Sequence, residues 1–403
     1  MTLTLYRLLW PLAFLLTLLL APFSQKLRRG LWGRIGLTAR IRKLKLSQPL
    51  WFHFSSAGEF EQSLSVIDTV HARSPEIPIF LSYFSPSARG AIEREAKRRN
   101  HPPPWRAADY APFDFAPLAS RYYDALNPRA LVVINRELWP ELTHQAKSRR
   151  IPLSLIASFF AKHTGGQGPA LFDFDWIGTV DEGSKAYLER LGAHSVTVMG
   201  DPRIERILAR KQTLKPWADF FTGQNLVLGS IWPDDFLALR DTFPVLAKKG
   251  WRLIFVPHEP TPRFVSAIMT IGKNWGGVRR WSHFLRSPDD QSHLIVDSVG
   301  VLADLYSIAT AAFVGGSFKS RVHNIAEPAA YGIPILTGPK IQNSAEAREL
   351  KDLGSLFVID SGQNTVSILE KAVLDKDTIS TIQTHFFDRN HGVATRYAEK
   401  ILT

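Results

Sequence analysis

At 403 residues the chain exceeds what one ordinary hydrophobic core supports, and two domains with additions are expected. A hydrophobic content of 45% and a charged content of 21% exclude a disordered chain, and the absence of cysteine excludes disulfides, thiolate metal sites and cysteine nucleophiles. The net charge of +12 is concentrated at one end: nine basic residues and no acid precede Glu59, the remaining chain carries +3, and that balance does not point to a nucleic-acid-binding body.

The first element is apolar. Leu8 to Phe23, extended by Leu3 to Tyr6, gives about 20 mostly apolar residues, enough to span or enter a bilayer, with Arg7 and Pro11 as imperfections. Lys26, Arg28, Arg29, Arg34, Arg40, Arg42, Lys43 and Lys45 follow. Residues 1–23 therefore read as a membrane anchor and 24–48 as a basic membrane-proximal segment. The positive-inside rule puts the flank, and the folded body behind it, in the cytoplasm. Two other readings stand beside this one. A cleaved signal peptide would leave the flank without an anchor and its n-region with only Arg7. A buried core helix is the other. The flank also suits anionic headgroups or a phosphorylated lipid.

From Pro49 short apolar runs alternate with helical stretches. Strands are expected at Leu50–Phe54, Ile77–Phe84, Ala130–Ile134, Leu153–Ala157, Trp176–Val180 and Val196–Met199. Helices fall between them, at Glu59–Arg73, Ser87–Arg99, Phe115–Leu126, Trp139–Arg149 and Glu182–Leu191. Residues 212–225 read as a connection, after which the alternation restarts. Strands follow at Leu226–Gly229, Arg252–Val256, His293–Val296, Ala311–Val314, Ile333–Leu336 and Leu356–Ile359. Their helices are Asp234–Lys248, Thr261–Asn274, Val301–Ile308, Ala345–Leu353, Thr365–Leu374 and one near the C-terminus. This β-α-β alternation predicts an α/β protein with two doubly wound parallel sheets and a cleft between them. The expected domains are 49–211 and 212–385, with 386–403 as a C-terminal helix packing back on the first.

Ligands of such sheets sit outside the carboxyl ends of the strands. Five strand ends carry candidate residues. His53-Phe54-Ser55-Ser56-Ala57-Gly58-Glu59 runs from a strand through a small-residue turn into a helix. Glu59 reads either as a capping acid beside a capping serine or as a general base with room for an acceptor. Asn135-Arg136-Glu137-Leu138-Trp139-Pro140 places Glu137 at the same edge, again as a helix-start acid or a site residue. Gly229-Ser230 and Val256-Pro257-His258-Glu259-Pro260 do the same in the second half, His258 being a site residue or a solvated loop histidine. In VGGSFKSRVHNIAEPA, Gly315-Gly316-Ser317 precedes His323, Asn324 and Glu327. Asn324 and Glu327 have capping-box spacing, and the same geometry offers backbone N–H groups to an anion and a carboxylate to ribose hydroxyls. No metal-ligand spacing, nucleophile elbow or P-loop appears.

In sequence order these motifs resemble the 3-deoxy-D-manno-oct-2-ulosonic acid (Kdo) transferases of lipopolysaccharide assembly. The resemblance covers the anchor and basic flank, Ser56 to Glu59, Pro112-Phe113-Asp114 and Glu137-Leu138-Trp139-Pro140. It continues through Leu191-Gly192-Ala193 and Gly200-Asp201 to Gly315-Gly316-Ser317. It ends with His323-Asn324-x-x-Glu327-Pro328-Ala329 and Gly338-Pro339 followed by Asn343. It implies a GT-B fold of two Rossmann-like domains and an inverting, metal-independent transfer without a cofactor. Kdo would move from CMP-Kdo to a lipid A precursor (lipid IVA) at the cytoplasmic face of the inner membrane. Glu59 would be the general base, with Ser56, Gly58 and Glu137 on the acceptor side. Ser230, His258, Gly300, Gly315, Gly316, Ser317, His323, Asn324 and Glu327 would line the donor side. Four segments depart from the family pattern. Asn135 replaces a Glu, and His258 stands where the family has the Arg of Pro-Arg-His-Pro. Asp297-Ser298-Val299-Gly300 replaces Asp-Thr-Met-Gly, and Arg321-Val322 replaces Gly-Gly before His323. These departures leave open a membrane-associated GT-B transferase using another nucleotide sugar; a non-catalytic membrane-bound homologue is the third reading.

Overall fold

The computed structural model describes residues 3–160, 171, 173–211, 218–289 and 292–403. The chain divides into two compact units, Met1–Arg206 with Gly392–Thr403, and Ile207–His391.

The sheet of the first unit holds β1 (Leu50–Phe54), β2 (Ile79–Tyr83), β3 (Trp105–Tyr110), β4 (Ala130–Ile134), β5 (Leu153–Ser158), β6 (Trp176–Thr179) and β7 (Val196–Val198). All pairs are parallel, in the order β3-β2-β1-β4-β5-β6-β7. Phe52 lies opposite Leu81 on one side and Val132 on the other. Every residue of β1 and β2 is buried, as helices covering both faces require. The chain winds outward from β1 in one direction through β3, then returns and winds the other way from β4. The switch point is therefore between β1 and β4, where a doubly wound sheet opens its ligand crevice.

The second unit repeats the design with β8 (Asn225–Ile231), β9 (Arg252–Pro257), β10 (Val278–Arg280), β11 (His293–Ile295), β12 (Ala311–Val314), β13 (Ile335–Thr337) and β14 (Leu356–Val358). Its parallel order is β10-β11-β9-β8-β12-β13-β14, with the switch between β8 and β12. The doubly wound α/β class expected from the alternation holds in both units.

Details differ from the pattern reading. β3 was not expected: it is an edge strand whose inner four residues are not buried, so it lacks the apolar run that marked its neighbours. β10 is likewise a short edge strand. The expected helix Asp234–Lys248 is two helices, Pro233–Leu239 and Phe243–Lys248, since Pro244 can start a helix but not continue one. The basic segment is helical, at Gln25–Trp32 and Leu37–Lys43. Of the expected connection, residues 212–217 lie outside the described residues.

The helix Leu3–Leu20 contains Pro11, and with Ala21–Phe23 it forms one segment long and apolar enough to cross a membrane. One side docks on the first unit. The Tyr6 hydroxyl donates to Asp114 Oδ2 at 2.8 Å, Arg7 forms an ion pair with the fully buried Glu141, and Trp10 stacks on Phe115 at 4.8 Å. Its other side exposes Leu8, Leu12, Leu15, Leu16 and Leu19.

The C-terminal helix Val393–Leu402 belongs to the first unit. The buried Tyr397 hydroxyl accepts from the Ala157 N–H at 3.0 Å and donates to the Gly200 carbonyl at 3.2 Å. Gly178 in β6 makes room for it: a Cβ there would meet the Tyr397 ring at 2.5 Å.

Candidate functional site

At the first switch point β1 ends at Phe54, and the turn Ser55-Ser56 leads into the helix Ala57–Arg73. Ser56 and Glu59 form a capping box. Glu59 Oε2 accepts from the N–H groups of Ser55 at 2.8 Å and Ser56 at 2.9 Å, and from the Ser56 hydroxyl at 3.1 Å. Capping and site roles are thus compatible: one oxygen caps, and the carboxylate is oriented at a helix N-terminus that favours its charge. Gly58 is exposed, and a Cβ there would find only the Ser56 hydroxyl, at 4.0 Å. The fold does not demand glycine at this position.

Glu137 follows β4 at the same edge. The Ser55 hydroxyl donates to Glu137 Oε2, as does the Trp139 indole N–H at 2.7 Å. Ser55 therefore joins both carboxyl groups, its amide to Glu59 and its hydroxyl to Glu137. Burial, and then the neighbouring Glu59 charge, push the Glu137 carboxyl up to about 7. The pair can hold one proton near neutrality while Glu59 stays fixed by three donors. Asn135, where the family pattern has Glu, sits at φ 61, and asparagine is among the few residues that adopt this left-handed conformation readily.

At the second switch point the loop after β12 folds tightly over the end of β8. Gly316 has φ 92, and a Cβ there would lie 2.4 Å from the Arg321 carbonyl oxygen. At Gly315 a Cβ would lie 2.7 Å from the Ser230 carbonyl oxygen. Ser230 itself is at φ 52. The loop is held by Asp235, which the motif reading did not single out. Its buried carboxylate accepts from the N–H groups of Trp232 and Gly316, both at 2.8 Å, and of Phe318 at 3.4 Å. The available signal was positional, since Asp235 stands three residues after Trp232 where a helix-start acid belongs.

The expected donor residues divide by role. His258 and His323 stack at 4.3 Å between ring centroids, and Trp232 stacks on His258 at 4.8 Å. The Trp232 indole N–H donates to His323 Nε2 at 3.0 Å, which assigns that nitrogen as an acceptor. Burial, then His258 and Arg321, hold the His323 imidazole down to about 4, so it is neutral. The Lys319 ammonium lies 3.4 Å from the centre of the Trp232 ring, and both Lys319 and Arg321 are exposed. Asn324 Oδ1 accepts from the Ala326 N–H at 3.1 Å, a local turn before a helix of only four residues, Ala326–Ala329. That helix is too short for the expected dipole argument, so cationic side chains are the stronger anion-attracting feature here. Glu327 interacts with the buried Tyr306. Ser317 is fully buried; its hydroxyl contacts Thr337 at 2.9 Å and accepts from the Gly338 N–H at 2.7 Å. It shapes the loop and presents no hydroxyl to solvent. Gly300, at φ 94, stands in an open loop. Asn343 exchanges two hydrogen bonds with the Val322 backbone and so sets the course of Arg321–His323.

Residues 29–206 match the family model described as 3-deoxy-D-manno-octulosonic-acid transferase (kdotransferase). The chain is 27% identical over 344 residues to the 3-deoxy-D-manno-octulosonic acid transferase of Aquifex aeolicus, covering 82% of this chain and 87% of that one. It is 25% identical over 379 residues to the enzyme of that name from Haemophilus influenzae, covering 88% and 85%. Among solved structures, the UDP-GlcNAc 2-epimerase of Neisseria meningitidis superposes with a TM-score of 0.64 at 13% identity, covering 88% of this chain and 99% of that one, which speaks to fold alone. Two parallel doubly wound sheets and these relatives together make the chain a glycosyltransferase of GT-B fold, similar to the 3-deoxy-D-manno-octulosonic acid transferases.

Proposed function

We propose that the protein transfers Kdo from CMP-Kdo to a lipid A precursor, with inversion, at the cytoplasmic face of the inner membrane. The observation that carries the reading is the Glu59–Glu137 pair at the β1/β4 switch point, joined through Ser55 and bordered by the exposed Gly58. The acceptor hydroxyl gives its proton to Glu59, and its oxygen bonds to the anomeric carbon. The bond from that carbon to the phosphate oxygen breaks, and CMP leaves with the electron pair. Glu59 suits the base because three donors fix its carboxylate at the turn, with one face open past Gly58. Glu137, pushed up to about 7 by burial and then by Glu59, can hold a proton beside it.

The second unit takes the donor. The glycine loop lets the backbone approach the nucleotide, and Lys319 and Arg321 supply positive charge for the departing phosphate where His258 replaces an arginine. The apolar helix Leu3–Leu20 and its basic flank hold the body at a surface carrying an acylated, phosphorylated acceptor.

The test is transfer from CMP-Kdo to a tetraacylated lipid A precursor by the wild type and by Glu59→Gln, which keeps a capping oxygen but loses the base. The wild type transfers, and the variant loses about 10²–10⁴-fold in kcat, the usual share of a general base. CMP still raises its melting temperature, because binding to the native state stabilises by mass action. A Glu59→Gln enzyme with full activity removes Glu59 from the mechanism. Stabilisation by UDP and not by CMP would favour another nucleotide sugar, the reading that His258 keeps open.

A further inference from the structure

The end of the helix Leu3–Leu20, the two short helices after it and the segment 112–118 border an open cleft of about 860 Å³ in the first unit. Its walls are apolar, with Phe14, Leu18, Leu31, Ile35, Phe113 and Leu118 among them. A second chamber of about 220 Å³ shares Phe14, Leu31, Arg34 and Phe113 with the first and continues to Phe84, Ser85 and Trp139. The larger volume falls within the roughly 300–1,000 Å³ of small-molecule sites.

Three features specify the occupant. Trp32 and Ile35 line the larger cleft and are 71% and 62% exposed, so it opens to the surface, and Phe14, Leu18, Ala21 and Pro22 of the apolar N-terminal segment line it too. The second chamber is lined by Trp139, which stacks on Phe84 at 4.7 Å and donates to Glu137. Arg34 lines both chambers. Its guanidinium donates to the carbonyls of Gly30, Ala111 and Phe84, lies against the Phe84, Tyr110 and Phe113 rings, and forms no ion pair among the described residues. Arg34 is thereby fixed as part of the wall, and an apolar cleft bordered by the membrane segment, with a second chamber reaching the residue that donates to Glu137, fits an acyl chain of a lipid.

We infer that these chambers hold an acyl chain of the acceptor, its tail toward Trp32 and Ile35 and its sugar on the Trp139 side, toward Glu137 and Glu59. This rests on the acceptor reading above. The test fills the larger cleft with Leu31→Trp and, separately, with Ala39→Trp at an exposed lining position. The measurement is the ratio of kcat/KM for the tetraacylated acceptor to that for the same phosphorylated disaccharide with its acyl chains removed. The ratio falls by about tenfold or more in both variants, which corresponds to excluding roughly two methylenes from an apolar site. An unchanged ratio, whether both rates fall together or neither does, overturns the inference. So does an unchanged ratio accompanied by weaker sedimentation with phosphatidylglycerol vesicles, which would assign the cavity to bulk membrane lipid. A wild type that transfers Kdo to neither acceptor fails the proposed function instead.

Discussion

Glu137 is the residue whose protonation the fold controls most directly at the candidate site. Unfolded, its carboxyl titrates near 4.5; folded, burial and Glu59 push it up to about 7. Between those values the native state holds a proton that the unfolded chain has released, so stability falls as pH rises and levels off above about 7. Glu137→Gln removes this contribution. Thermal melts at about pH 5 and pH 8 should therefore show a larger loss for the wild type than for the variant. Equal losses would mean that Glu137 does not hold its proton. Gly58 offers a second test at this scale. Alanine in a helix is favoured over glycine by up to about 1 kcal/mol, and space is open for its methyl group. Gly58→Ala should raise the melting temperature slightly while lowering kcat/KM for the acceptor, since the methyl group would occupy the open face proposed for the acceptor. A variant at least as active as the wild type would free that face of an acceptor role.

At the scale of elements, the N-terminal helix is both docked and exposed. Arg7 reaches Glu141, which is fully buried, and Tyr6 reaches Asp114, which is nearly so. Removing one partner of a buried pair leaves a charge uncompensated, whereas removing both can be close to neutral. Arg7 is 42% exposed, so the effect is smaller than for a fully buried pair, about 1–2 kcal/mol. Arg7→Ala should lower stability by that amount, and Arg7→Ala with Glu141→Gln should recover most of it. Failure of the double variant to recover would show that the loss does not come from an uncompensated Glu141 charge. Asp235 makes the corresponding link in the second unit, between the start of the helix Pro233–Leu239 and the glycine loop. Three N–H groups depend on it, so Asp235→Ala should cost about 3 kcal/mol and abolish stabilisation by CMP. These elements also show what sequence conveys. The strand ends with Glu59, Glu137 and Gly315-Gly316 were legible because a parallel sheet buried on both faces leaves continuous apolar runs that stop where function begins. β3 was not legible, since WRAADY lies at an edge and keeps its polar residues half in solvent. Asp235 and Trp232 escaped because the partners that tie them to the glycine loop, the Gly316 and Phe318 N–H groups and the His323 ring, lie more than 80 residues along the chain, which no local pattern encodes.

For the whole molecule, the decisive feature is that the chain returns to its first unit after completing the second. Val393, Ala394, Tyr397 and Ala398 are fully buried in the first unit's core. Tyr397 satisfies backbone groups of Ala157 and Gly200, and the Ala394 N–H donates to Glu205. Removing Gly392–Thr403 therefore opens a cavity beside β6 and leaves buried polar groups unpaired in the first unit, while the second loses none of its own strands. Calorimetry of the truncated chain should show two transitions, with the first unit melting earlier. The proposed donor site lies wholly in the second unit, so CMP should raise only the later transition, by the mass-action relation for a ligand of the native state. Tyr397→Phe keeps the ring against Trp176 and removes only the hydroxyl, so it should lower the early transition by a smaller amount and leave the CMP response intact. If CMP instead raised the early transition, the nucleotide would belong to the unit that carries Glu59, and the division of labour between the two switch points would have to be reversed.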